Sequence, residues 1–238
     1  MPLPYYVSPE QMMQDKAEYA RKGIAKGRSI IALEHAGGVL VVAENPNTTL
    51  NKISEIYDRI AFAGAGKYGE FERLRKEGIR YADLKGYAYG REDVTAKSLA
   101  NAYAQVIGSV FSQEIKPLEV EILVLEVGEG SATNAMYQIA FDGSIVDERG
   151  YAAIGGQAEE LKLFLRDKYA EGLPLDRTLQ LAVRSLEAAA SQKVRPASLE
   201  VALLERARSG RVFRRIPAAE LRGLMGADGQ EEPAPLQP

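Results

Sequence analysis

Cysteine is absent from this 238-residue chain. Disulfides and thiolate metal sites are thereby excluded, and the composition suits a reducing cytoplasm. Histidine occurs once, as His35; a single histidine excludes a His-rich metal site, and its place at a hairpin turn beside Gly37 argues against a histidine-based triad. Beside a glycine turn, that histidine is expected to be solvated. No apolar run is long enough to span a bilayer, and no basic-then-apolar leader opens the chain. The N-terminus is therefore expected to stay on the mature protein. A large charge excess is missing too. The net charge is −3, so nothing electrostatic favours nucleic acid or an anionic membrane as a partner. No internal repeat and no linker-like stretch appear before residue 226, which points to a single domain. No cofactor is expected.

What is present supports a good core, with 46% hydrophobic and 26% charged residues. The stretch from Ser8 to Lys52 organises the rest. Ser8 can cap a helix, Pro9 suits its first turn, and Gln11 can reach back to complete a capping box. Met13, Ala17, Ala20 and Ile24 recur at helical spacing as one apolar stripe. Glu10, Asp15, Lys16, Glu18 and Arg21 read as a solvated face. Gly23 and Gly27 end the helical region. A strand follows over Ser29 to Glu34, a turn at Ala36-Gly37-Gly38, and an apolar strand over Val39 to Ala43. A polar loop, Glu44 to Asn51, leads to Lys52.

Two further strands are expected around Asp58-Arg59. A helix opens at Lys67, with Tyr68, Phe71 and Leu74 inward and Gly78 bending or ending it. Another starts at Asp93-Val94-Thr95, with Leu99, Ala102, Val106 and Val110 on its apolar side, and stops before Pro117. Strands return at Val120 to Val127, apolar enough to be covered on both faces, and at Met136 to Phe141. Asp142-Gly143 turns the chain, and Tyr151 to Ile154 is a short strand. Two helices come next, one on Leu161, Phe164, Leu165 and Tyr169, the other starting near Asp176. Ser198 to Leu204 and Arg211 to Arg215 close the strands, and Pro217 begins a last short helix. Blocks of strands and helices segregate in this order, which argues α+β rather than an alternating parallel fold. Residues 226–238 lack periodicity and read as a disordered tail.

Ser8-Pro9, then Glu18-Tyr19-Ala20-Arg21, then Lys26-Gly27, then a strand, a glycine turn and an apolar strand, resemble the N-terminal signature of proteasome α subunits. The remaining elements fit that family in order, over roughly residues 5–225. A Tyr-Asp-Arg triplet ahead of Ser8 is missing, which resembles the bacterial, actinobacterial-type branch.

The resemblance implies a four-layer αββα sandwich, the N-terminal nucleophile hydrolase fold, with an extra N-terminal helix. It divides the chain into an N-terminal gate segment (residues 1–7: Pro2, Pro4, Tyr5, Tyr6 and Val7), an α-type domain (8–225) and the tail. Catalytic relatives free a threonine by cutting after a glycine at the first strand. Gly27 stands there, but Arg28 follows it and Ser29 is one residue late, so no catalytic residue is assigned. Glu44 occupies a position that is acidic in catalytic relatives, and Pro46 one that is arginine. Lys52 matches the lysine that, in the α family, binds the C-terminal carboxylate of an activator between neighbouring subunits, with Gly27 and Gly66 lining the pocket. Pro9, Met13, Ala17 and Ala20 on the first helix are implied as a ring contact. The implied partners are α subunits of the same ring, β subunits, a ring-shaped ATPase or other activator acting through its C-terminal tail, and protein substrates tagged with a ubiquitin-like modifier, all in the cytoplasm. Two alternatives stand beside this: a self-processing N-terminal nucleophile hydrolase or catalytic β-like chain, and an unrelated α+β binding domain.

Two remaining patterns carry little. Gly64-Ala65-Gly66-Lys67 lacks the spacing of a phosphate loop. Arg206, Arg208, Arg211, Arg214 and Arg215 lack the aromatic interleaving of a nucleic-acid patch and read as exposed hairpin charge.

Overall fold

The computed structural model describes residues 8–47 and 49–225. The expected gate residues Pro2, Pro4, Tyr5, Tyr6 and Val7, and the tail 226–238, lie outside the described residues. Helix α1 spans Pro9–Ala25, and strands β1 (Ile30–His35), β2 (Gly38–Glu44), β3 (Ile53–Tyr57) and β4 (Ile60–Gly66) follow. Helices α2 (Tyr68–Ala88) and α3 (Ala96–Gln113) come next, then β5 (Val120–Glu126), β6 (Ala135–Ile139), β7 (Ile145–Glu148) and β8 (Tyr151–Ile154). Helices α4 (Ala158–Lys168) and α5 (Leu175–Ala190), strands β9 (Leu199–Glu205) and β10 (Phe213–Arg215), and helix α6 (Ala218–Met225) complete the order.

The strands form two five-stranded antiparallel sheets, ordered β10-β9-β2-β1-β8 and β3-β4-β5-β6-β7. Alternation along each strand decides what faces what. Ile30, Ala32, Val39, Val41, Leu123 and Leu125 meet between the sheets. The opposite faces carry Ile31, Leu33, Leu40 and Val42 under α4 and α5, and Ile122 and Val124 under α2 and α3. The result is the αββα sandwich, and it explains why β5 is apolar on both sides.

Helix α1 stands apart from these layers. Its Ala20 and Ile24 seat against Phe141, flanked by Ala17 and Phe111. Ser8 caps the helix, its hydroxyl accepting from the Gln11 N–H at 3.1 Å, a bond worth about 1 kcal/mol. Only half of the expected capping box forms, because the Gln11 amide turns forward to Asp15 at 2.8 Å. Lys16, expected on the solvated face, is buried instead. Its ammonium donates to the Phe111 carbonyl at 3.1 Å, where the last turn of α3 leaves carbonyls unpaired and the helix dipole favours a cation. Gly23 does not end the helix; a side chain there would collide with Glu119.

Two other expectations need correction. Helix α3 buries Leu99 as expected, but alongside Tyr103 and Ile107 rather than Ala102, Val106 and Val110. Ala102, Val106 and Val110 line a groove of about 520 Å³ facing Leu74 and Tyr81 of α2. Gly78 does not end α2 but lies mid-helix against Tyr103, whose hydroxyl sits 1.6 Å from where a Cβ would be. Gly78→Ala is therefore expected to lower the melting temperature. Overpacking costs about 1–3 kcal/mol, more than the ~1 kcal/mol an exposed helix gains from alanine. A rise in melting temperature would contradict this account.

Candidate functional site

The head of β1 is where three chain segments cross. A Cβ on Gly27 would lie 2.9 Å from the Gly66 nitrogen, and one on Gly66 2.1 Å from the Glu119 carbonyl oxygen. Gly66 also has φ +98, a conformation that L side chains rarely adopt. From the other side, the Gly156 N–H donates to the Gly27 carbonyl at 3.1 Å. The structure thus brings Gly27 and Gly66 together, and it is their own backbones that fill the space.

Lys52 lies just ahead of β3 and reaches into this crossing. Its ammonium donates to the Arg28 carbonyl at 2.8 Å. An ammonium has three N–H donors, so further donors remain for a ligand. Burial is the largest influence on this amine and pushes its pKa down to about 8; the Glu200 carboxylate opposes that and the Arg28 guanidinium adds to it. Arg28 pairs with Glu44, so the acidic position at the end of β2 is engaged by the residue that replaces a nucleophile. Ser29 is buried, and its hydroxyl accepts from the Gln157 N–H at 3.3 Å. Gly27 is thus followed by an arginine held on Glu44 and then by a buried serine one residue further on.

The other sequence-derived residues fall elsewhere. Pro9 and Met13 are exposed on α1, Ala17 is half-buried, and Ala20 is fully covered by its own chain. Ala20 is therefore an internal packing residue and not a contact for a neighbour; Met12 and Tyr19 share the exposed side instead. His35 is not the solvated residue expected. Its Nδ1 accepts from the Gly37 N–H at 3.1 Å, and burial lowers its pKa, against the pull of Glu205. The arginines of the last hairpin are paired rather than merely exposed. Arg211 meets Glu55, Arg214 meets Glu205 and Glu220, and Arg215 meets Glu200.

Sequence reasoning missed Glu200, Arg215 and Asn45 as neighbours of Lys52. Glu200 accepts from the Lys52 N–H at 2.8 Å, the Ile53 N–H at 3.1 Å and the Asn45 amide at 2.8 Å. An acidic residue ahead of the apolar run at residues 201–204 was the available signal, but nothing local says that it faces residues 148 positions away.

A family profile described as "Proteasome subunit" matches residues 24–204. The chain belongs to the proteasome subunit family. Within that family its similarity is to α subunits. It is 51% identical to "Proteasome subunit alpha" of Kineococcus radiotolerans over 237 residues, covering 96% of this chain and all of that protein. It is 51% identical to "Proteasome subunit alpha" of Saccharopolyspora erythraea, covering 98% of this chain and 91% of that one. For the protein of the same name in Acidothermus cellulolyticus the identity is 53%, over 94% of this chain and 98% of that one. The bacterial α-type resemblance of the N-terminal signature extends across nearly the whole chain, and family membership makes this chain a component of a proteasome.

Proposed function

We propose that this chain is a non-catalytic α subunit of a proteasome core, working in the cytoplasm. It forms a heptameric outer ring with copies of itself and supports assembly of the catalytic β rings. It gates substrate access and docks a ring-shaped ATPase or other activator. The substrates of such an assembly are proteins tagged with a ubiquitin-like modifier. Residues 1–7 serve as the gate, 8–225 as the α-type domain and 226–238 as a tail.

The observation that carries this reading is the junction after Gly27. A threonine-type peptidase needs a nucleophile on a freed α-amine, and here the residue after Gly27 is Arg28, which has no nucleophile and pairs with Glu44. Lys52 supports the docking role, because a half-buried ammonium with donors to spare suits an incoming carboxylate. Head-to-tail ring contacts require two different faces on each subunit, and the exposed apolar side of α1, with Met12, Met13 and Tyr19, suits one of them.

The test is reconstitution. The purified chain alone is expected to leave peptide substrates intact, with hydrolysis appearing when a β subunit is added. Robust hydrolysis by this chain alone, lost in Ser29→Ala, would overturn the assignment in favour of a self-processing hydrolase.

A further inference from the structure

Lys52 is held from beneath by a charged assembly that spans both sheets. Glu200 stands on β9 of one sheet, and the Lys52–Ile53 peptide leads into β3 of the other. One carboxylate oxygen of Glu200 takes the Lys52 N–H and the Asn45 amide, both at 2.8 Å. The second takes the Ile53 N–H at 3.1 Å and pairs with the Arg215 guanidinium. Arg215 also donates to the Ile53 carbonyl, so the Ile53 residue is gripped at its N–H by the anion and at its C=O by the cation. The Lys52 carbonyl accepts from the Gly64 N–H at 3.0 Å. Asn45 closes the connecting loop, its amide reaching the Leu50 carbonyl at 2.6 Å.

A buried ion pair is seldom the most stabilising way to join two sheets, since apolar residues of similar volume often do as well or better. This one is buried on one side only: its carboxylate is 11% exposed and satisfied by four donors, while the Arg215 side chain stays 38% exposed. All four belong to the residues that fix where Lys52 starts or to the arginine that grips its neighbour.

We propose that Glu200, braced by Arg215, is the positioning residue of the Lys52 site: it fixes the lysine's main chain across the two sheets and so aims the ammonium at the head of β1. This rests on the reading of Lys52 as the docking cation. Charge follows from the same geometry. The groups facing the ammonium are Arg28 ahead of β1, with Glu44 of β2 behind it, Glu200 on β9 and, through Glu200, Arg215 on β10. Glu200 alone among them lies against Lys52 as an anion not already neutralising Arg28. It therefore keeps the lysine charged against the cost of burial.

The test measures the lysine itself, so it does not depend on docking. The particle assembled with β subunits is acetylated with the N-hydroxysuccinimide ester of acetic acid across a pH series. Mass spectrometry follows the Lys52 peptide, with exposed Lys193 as the internal reference. Wild type should titrate near its depressed value. Glu200→Gln keeps the shape, loses the charge, and should move the Lys52 midpoint down by ~0.5–1 pH unit. Glu200→Asp keeps the charge and should restore it most of the way. A purely structural role predicts the opposite, because a loosened site admits water and moves the midpoint up. If Glu200→Gln does not assemble, Arg215→Gln carries the test with reversed sign, since an unneutralised Glu200 raises the midpoint. A midpoint that stays put or rises in assembled Glu200→Gln, or one that fails to rise in Arg215→Gln, overturns the proposal. Failure of Lys52→Ala to weaken docking would instead overturn the docking role and leave this result standing.

Discussion

Lys52→Ala is expected to abolish activator-dependent protein degradation while ring assembly and cleavage of small peptides by the β subunits continue. A carboxylate that enters a cleft between subunits loses water. In the docking role proposed for Lys52, its ammonium compensates with a charge-assisted hydrogen bond of roughly 1.5–3 kcal/mol. Repetition of that loss around a ring turns a modest defect at one site into failure of docking. The pH dependence has a definite sign. With its pKa lowered to about 8, Lys52 is charged below that value and neutral above it, so docking should fade as pH rises through about 8. Lys52→Arg keeps its charge throughout this range and should dock with intermediate strength but without the fade, because the fork differs in shape from an ammonium. The rival account takes the bond from Lys52 to the Arg28 carbonyl as its whole purpose. That account predicts a lower melting temperature or failed assembly for Lys52→Ala, with docking affected only as a by-product. Unchanged affinity for an activator tail in a well-assembled Lys52→Ala particle would sink the docking role.

Removal of Pro2 to Val7 is expected to speed hydrolysis of small peptides several-fold in the assembled particle, without altering inhibition or substrate preference at the β sites. Two prolines in this segment cannot continue a helix, and the Ser8 cap fixes the helix start immediately after it. Prolines ahead of a fixed helix start suit the gate role proposed for this segment. The gain should shrink for the smallest substrates, which pass a partial barrier most easily. Equal rates for truncated and full-length particles, whatever the substrate size, would mean that this segment is not the barrier.

The succession of elements along the chain and the hairpins were legible because apolar runs and glycine turns are local signals. The β1–β2 hairpin, the Asp142-Gly143 turn and the β9–β10 pair all fall within a residue or two of expectation. What misled was any residue with two plausible partners. Helix α3 has apolar side chains on more than one side, and only contact with the sheet chose Tyr103 and Ile107 over Val106 and Val110. Lys16 looks solvated until Phe111, 95 residues later, offers a carbonyl. The candidate site was half legible. Lys52, Gly27 and Gly66 came from a family pattern, whereas Glu200 and Arg215 depend on strands from opposite sheets meeting, which no window of sequence contains.

The crossing of Gly27, Gly66 and Gly156 has a consequence for anyone wishing to turn this scaffold into a protease. Arg28→Thr would supply a hydroxyl, but not a leaving peptide bond that is free to move. The Gly27 carbonyl is already engaged by Gly156 and the residue-28 carbonyl by Lys52. Cutting there would also detach α1, with its seat on Phe141 and its lysine on the end of α3. An engineer would have to rebuild the packing over that end of the sandwich before any nucleophile could be exposed. The barrier between this scaffold and a peptidase is thus architectural, spread over main-chain contacts that a single substitution does not reach.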